Sequence, residues 1–212
     1  MAKLEDKLST FASTHQQQLQ QDPVFRQRFL EMCAPLGLDP LQSRKTLWGG
    51  MGDFYHELAV KVAEVCLASR RRNGGIMSLT EIQTALAHRH SRFGISASQK
   101  RAQVSQADIL VAIRKLAPLG GGFRTLQVGN QTMVVSVPTE LDQDHTVVLQ
   151  VCHGHTAEYV RETTGWEPAR VDRALTLLLQ EGMAWVDKVH GETRYGVPSL
   201  WQAEREAEES AE

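Results

Sequence analysis

The chain has 212 residues, a formal net charge of −2 at neutral pH and 42% hydrophobic residues, the composition of a globular chain with room for one or two domains. No apolar run approaches the ~20 residues that cross a bilayer, and no basic-then-apolar signal pattern opens the chain. A slightly acidic balance suits phosphate contacts poorly, and the scattered Cys33, Cys66 and Cys152 point to reduced intracellular thiols rather than a disulfide framework.

Leu4, Leu8 and Phe11 fall at helical spacing, predicting an amphipathic helix from Leu4 to Gln18. Asp22-Pro23 is a helix start, and Phe25, Phe29, Met32, Cys33 and Leu36 mark the buried stripe up to Gly37. This helical hairpin has a thin core of its own, so it is expected to lie against something else, in this chain or in a partner. Asp39 to Gly52 reads as a connector in which Trp48 plugs into neighbouring packing. Asp53 is then expected to cap a helix whose face is Phe54, Leu58, Val62, Val65 and Cys66. Arg70, Arg71 and Arg72 end that helix, where cations suit its dipole, although a phosphate or lipid contact is the alternative.

Past Asn73-Gly74-Gly75, Ile76-Met77 reads as a short strand. Ser78 with Glu81 is a capping pattern for a helix carrying Ile82, Leu86 and Ala87. A loop is expected from His88 to Val104, and Ser105 with Asp108 opens a third helix through Ile109, Ile113 and Leu116. A strand pair turning at Gly129-Asn130 and closing at Pro138 completes a winged helix. The pattern then repeats: Leu116-Ala-Pro-Leu-Gly120-Gly-Gly-Phe123 is matched by Leu178-Leu-Gln-Glu-Gly182-Met-Ala-Trp185. The second copy has helix starts at Asp144, Thr156 and Glu167-Pro168, then a hairpin turning at His190-Gly191 and closing at Pro198. The Glu- and Ala-rich stretch from Ala203 to Glu212 reads as a solvated tail.

The fold class that follows is mainly α with small β wings, an N-terminal helical hairpin followed by two tandem winged-helix domains. Its boundaries are residues 1–52 for the hairpin and connector, 53–138 and 139–200 for the winged helices, and 201–212 for the acidic tail.

Little in the chain points to reaction chemistry. Gly49-Gly50-x-Gly52 and Gly120-Gly-Gly122 lack the strand, helix and lysine of a phosphate loop. His88 with His90, and Cys152 with His153 and His155, lack the four-ligand pattern of structural zinc. No nucleophile elbow is present, so neither an enzyme nor a cofactor or metal is expected. DNA binding is the alternative that winged helices raise. In the second copy acids outnumber bases ten to five between Glu140 and Leu200, a surface that repels a duplex. The first copy, with Arg114, Lys115 and the basic His88–Arg101 stretch, stays open to nucleic acid on charge, which leaves a DNA-associated transcription factor as the competing class.

Several strings carry a resemblance. Gly52-Asp-Phe-Tyr-His-Glu-Leu-Ala, Glu64-Val-Cys-Leu-Ala, Arg72-Asn-Gly-Gly-Ile-Met-Ser-Leu, Leu38-Asp-Pro-Leu41 and Asp144-His-Thr-Val-Val-Leu-Gln150 resemble the vacuolar-sorting subunit of ESCRT-II of the EAP-thirty or SNF-eight type. So do Phe25-Arg-x-x-Phe29-x-x-Met32-Cys33-Ala34 and Ser136-Val-Pro-x-Glu-Leu141. The resemblance runs from Phe11 to Leu200 and implies a non-catalytic subunit that is cytoplasmic and recruited to endosomal membranes. Its implied partners are the other large ESCRT-II subunit and the small subunit, whose proline-aromatic segment enters an apolar pocket on the second winged helix. The implied task is sorting ubiquitinated cargo into multivesicular bodies. The family's basic N-terminal segment has no counterpart in this sequence, so membrane contact is expected to be indirect. The connector before Asp53 is shorter than the family's, and the His88–Val104 stretch longer. A proline-aromatic ligand wants rigid aromatic walls and a charge at the rim, so Trp185, Asp187 and Tyr195 are the candidate partner-binding residues; the alternative for Trp185 and Tyr195 is core filling.

Overall fold

The computed structural model describes residues 2–36, 38, 40–41, 50–92, 103–120, 122–128 and 131–201. Trp48, the Gly129-Asn130 turn and the tail beyond Trp201 lie outside the described residues. Two compact units emerge, one comprising Met1–Ala63 with Thr80–Leu119, the other Glu64–Leu79 with Gly120–Glu212.

In the first unit the hairpin comprises α1 (Ala2–Thr14), α2 (Gln16–Gln21) and α3 (Pro23–Cys33). The single helix predicted over Leu4–Gln18 is interrupted at His15. Thr10, Ser13 and Thr14 each donate a side-chain hydroxyl to the carbonyl four residues back, a bond that weakens and bends a helix. Asp22 caps α3 as the sequence implies, accepting from the amides of Val24 at 2.9 Å and Phe25 at 3.2 Å. Helix α4 (Met51–Asn73) opens two residues before the predicted cap. The Gly50 carbonyl accepts from the Phe54 amide, so Asp53 sits inside the first turn rather than at its cap. After α4 and the strand β1 (Ile76–Ser78), α5 runs Leu79–Arg92, longer than expected because the first breaker past His88 is Gly94. Ile82 and Leu86 are buried in it, while Ala87 is exposed. Helix α6 (Gln106–Leu116) starts on the predicted capping box, Ser105 and Asp108 exchanging side-chain and backbone hydrogen bonds.

What seats the hairpin is a buried ion pair. Arg26, on α3, is fully buried, and its guanidinium meets Asp108 of α6 in a fork, Nε to Oδ1 at 3.1 Å and Nη2 to Oδ2 at 2.7 Å. Its other N–H groups donate to the carbonyls of Leu19, Gln20 and Gln103, and the Phe54 ring lies 4.3 Å from its carbon. The Tyr55 hydroxyl of α4 donates to Asp108 at 2.6 Å. Burial alone would raise the Asp108 pKa. The donations from Arg26, Tyr55 and Ser105 outweigh it and hold the carboxyl below its ordinary value. The thin-cored hairpin thus finds its support within this unit, on α4 and α6.

The second unit holds two three-stranded antiparallel sheets of identical order. Strand β1 pairs with β3 (Gln131–Ser136), which pairs with β2 (Phe123–Val128). The copy is β4 (His155–Thr156), then β6 (Glu192–Gly196), then β5 (Trp185–Val189). Strand β4 has no counterpart among the elements the sequence predicts, because two residues carry no alternation. The repeat glycines behave alike: Gly120 and Gly182 both take φ +72°, the left-handed conformation that stops a helix. Helix α7 (Gln143–Val151) follows the first sheet, and α8 (Ala157–Thr164) and α9 (Pro168–Gln180) run in sequence between β4 and β5. Helix α7 begins on Asp142, not on the predicted Asp144. Asp142 accepts from the His145 amide, and His145 reciprocates to the Asp142 amide, leaving Asp144 free to meet Arg170. Thr156 caps α8 as predicted, and Pro168 takes the first position of α9. One apolar cluster joins Ile76, Met133, Val135 and Val137 to Val148, Leu175, Leu178 and Val197, so the first wing and the second helical set share a core.

Replacing Asp108 with Asn or Ala is expected to cost about 3–5 kcal/mol, because Arg26 is left buried and uncompensated; urea melts at neutral pH measure it. Unfolded aspartate titrates near ~3.9, and the folded value lies lower. The stabilisation from Asp108 is therefore complete above the unfolded value and lost as pH falls through the folded one. An Asp108→Asn chain should lack this part of the acid-induced loss of stability.

Candidate protein-binding surface on the second wing

The β5–β6 hairpin turns at His190-Gly191, both with positive φ, the geometry that two-residue hairpin loops favour. Register divides its faces. Trp185 stands opposite Gly196 and Asp187 opposite Arg194, while Val186 stands opposite Tyr195 and Lys188 opposite Thr193. Since directly opposed residues share a face, Trp185 and Asp187 lie together on one side and Tyr195 on the other. Of the three predicted residues, two are brought together and the third supports them from behind.

Trp185 is 43% exposed, its indole lying over Gly196. It is not part of the apolar cluster. Asp187 is exposed and its Oδ1 accepts from the Lys188 amide at 2.8 Å. Arg194, across from it, pairs with Glu192 at 3.4 Å. Tyr195 is half-buried against the cluster, and its carbonyl accepts from the Gly154 amide at 2.7 Å. Burial, then the nearby Asp172, pushes the Tyr195 hydroxyl pKa up, against a smaller opposing effect of Arg161. Tyr195 is therefore the inward, anchoring residue of the hairpin and Trp185 the outward one. Val186, on the face opposite Trp185, is also exposed, at 48%.

The side chains that resembled metal ligands have other work. His153 Nδ1 accepts from the Val197 amide at 2.9 Å. His155 stacks on Tyr159 with centroids 3.9 Å apart, and Cys152 is buried, its thiol pushed up to about 12 by burial. Among the described residues no group of three His, Cys, Asp or Glu side chains is placed to hold a metal. Gly196 escaped the sequence reading. Its signal was available, a glycine closing a strand at the position paired with a tryptophan, but only once register is known.

The architecture defines a class, a helical hairpin followed in the chain by tandem winged helices, with a half-exposed aromatic on the second wing. Residues 1–188 match the EAP30/Vps36 family. Vacuolar-sorting protein SNF8 of Xenopus tropicalis is 44% identical over 204 residues, spanning 92% of this chain and 76% of that protein. Vacuolar protein sorting-associated protein 22 homolog 1 of Arabidopsis thaliana is 39% identical over 208 residues, 94% and 80% of the two chains. Among solved structures, a chain of the ESCRT-II endosomal trafficking complex superposes with a TM-score of 0.71 at 29% identity, covering 92% of this chain and 89% of that one. A chain of the endosomal complex ESCRT-II (VPS22/VPS25/VPS36) does so at 0.70 and 29%, covering 95% and 91%. This chain belongs to the EAP30/Vps36 family. It is a protein of endosomal trafficking, of the ESCRT-II subunit type.

A buried tryptophan costs about 3–5 kcal/mol when truncated. Trp185, open on one side, should cost less, about 1–2 kcal/mol on the area it covers. Urea melts of Trp185→Ala test this, and a chain that stays folded leaves the variant usable in binding work.

Proposed function

We propose that this chain is a non-catalytic scaffold subunit of ESCRT-II, cytoplasmic and recruited to endosomal membranes. In this reading it assembles with the other large subunit and receives the small subunit on the outer face of its second wing, for sorting ubiquitinated cargo into multivesicular bodies. The hairpin and connector (1–52), the first winged helix (53–138) and the second (139–200) are the functional parts. Trp185 supplies the rigid aromatic wall, Asp187 the charge at its rim, and Tyr195 the anchor beneath. The family match supports the assignment, and the outward Trp185, half-exposed beside Asp187 on an edge strand, supports the docking face.

The competing class, a DNA-associated protein, needs a free third helix to enter the major groove. In the first winged helix that element is α6, of which Asp108, Ile109, Val111, Ala112, Ile113 and Leu116 are buried. Lys115 on α6 is turned to the Leu41 carbonyl at 2.8 Å. In the second it is α9, where Arg170 is tied to Asp144 by bonds of 2.6 and 2.7 Å and lies over Trp166. Both geometries favour protein partners over duplex.

Calorimetric titration of the purified chain with the small ESCRT-II subunit tests the assignment. Asp187→Ala should leave the fold intact and weaken binding by about 1–3 kcal/mol, the worth of a hydrogen bond to a charged group; unchanged affinity removes Asp187 from the site. Duplex DNA should bind weakly at physiological salt. A tight complex whose affinity falls steeply with salt would instead favour the transcription reading.

A further inference from the structure

Gly196 is buried at the end of β6, opposite Trp185. Its φ is not in the left-handed region, unlike nine other glycines of the described chain, so its backbone conformation is open to any residue. What excludes a side chain is the indole. A Cβ at position 196 would fall 2.5 Å from Trp185 Nε1 and 2.7 Å from Cζ2, and closer still to Cε2. Real carbons do not approach that closely, so the ring or the strand would have to give way.

The strand is held on both sides of this glycine. The Val197 amide donates to His153 Nδ1 at 2.9 Å, and the Tyr195 carbonyl accepts from the Gly154 amide at 2.7 Å. The ring is not so held, being 43% exposed, which is what an indole with one face covered and the other open shows. We infer that Gly196 is a positioning residue for partner docking: its missing side chain lets the Trp185 indole lie flat on the sheet, presenting one open face to the small subunit. The inference rests on the proposed docking reading of this wing. It adds that the orientation of the ring, and not only its presence, sets affinity, since a pre-ordered aromatic pays less entropy on binding than a mobile one.

Gly196→Ala should tilt the indole off the sheet while leaving the strand in place. The experiment titrates the full chain with the purified small subunit for four forms: wild type, Gly196→Ala, Trp185→Ala and the double variant. Melting temperature and near-ultraviolet circular dichroism are recorded for each. Expected are a roughly 10- to 100-fold loss of affinity for Gly196→Ala, on the scale of a lost hot spot, and a melting temperature within about 4 °C of wild type. The tryptophan circular dichroism should change, and Gly196→Ala should cause no further loss once Trp185 is alanine. A wild-type affinity for Gly196→Ala beside a weakened Trp185→Ala overturns the positioning role and leaves the docking face standing. An unweakened Trp185→Ala sinks the docking face and the inference with it. A Gly196→Ala chain that unfolds also overturns the inference, because the strand rather than the ring would then have depended on the glycine.

Discussion

The hairpin of this protein is held by a charge pair taken entirely out of water. Arg26 has five N–H donors and all five are used, two on Asp108 and three on the carbonyls of Leu19, Gln20 and Gln103. Asp108 in turn accepts from Arg26, from the Tyr55 hydroxyl and from the Ser105 amide and hydroxyl. Burying two charges costs several kcal/mol per ion even after relaxation, and the cost is offset only where the remaining hydrogen bonds are made. Such an arrangement adds little net stability over a well-packed apolar one. Its contribution is register: apolar faces of short helices tolerate sliding, whereas a forked pair with every donor matched fixes α3 on α6 and α4 in one way.

The second unit is held by continuity of its core. Ile76, Met133, Val135 and Val137 from the first sheet and Val148, Leu175, Leu178 and Val197 from the second repeat form one cluster. The polar groups at the junction are tied within the same unit. Arg124 donates to the Thr139 carbonyl at 2.7 Å, the Thr139 hydroxyl to Glu181 at 2.5 Å, and Gln150 to the Gln127 carbonyl at 2.6 Å. Gly74 allows the close approach, since a Cβ there would run into the backbone at Gly182 and Met183. With the inward faces consumed in this way, the β5–β6 hairpin meets the core only through Tyr195, and Trp185 and Val186 are left exposed.

Periodicity and caps made most of this legible. Asp22, the Ser105 and Asp108 box, Thr156 and Pro168 each mark a helix start because their chemistry is local, needing only the next three residues. The doubled hairpin was legible from glycine, aromatic and proline at matched offsets. What escaped depended on contacts far apart in sequence. Arg26 and Asp108 are separated by 82 positions, and an arginine on an amphipathic helix ordinarily reads as solvated surface. Asp144 reads as a cap because nothing local reveals Arg170, 26 positions away. Tyr195 reads together with Trp185 because both are aromatic. The strand register that puts them on opposite faces follows from the two-residue turn at His190-Gly191 by counting positions along each strand, and not from residue type.

An exposed tryptophan is not in itself evidence of a partner, since folded proteins leave much apolar surface in water. The case for Trp185 rests on what its neighbours give up for it. Glycine at a strand position sacrifices packing and conformational entropy, about 0.5–1 kcal/mol relative to alanine. At Gly196 no backbone requirement explains that cost. Nor does core packing, because the indole covering the glycine is itself half in solvent. An alanine with the ring rotated away would leave β5 and β6 paired and the cluster beneath Tyr195 undisturbed. The sequence instead keeps the ring flat and open at its outer face. The area the indole covers, about 1–2 kcal/mol, offsets that cost, so packing explains where the ring sits, and its open outer face is what the proposed docking would use.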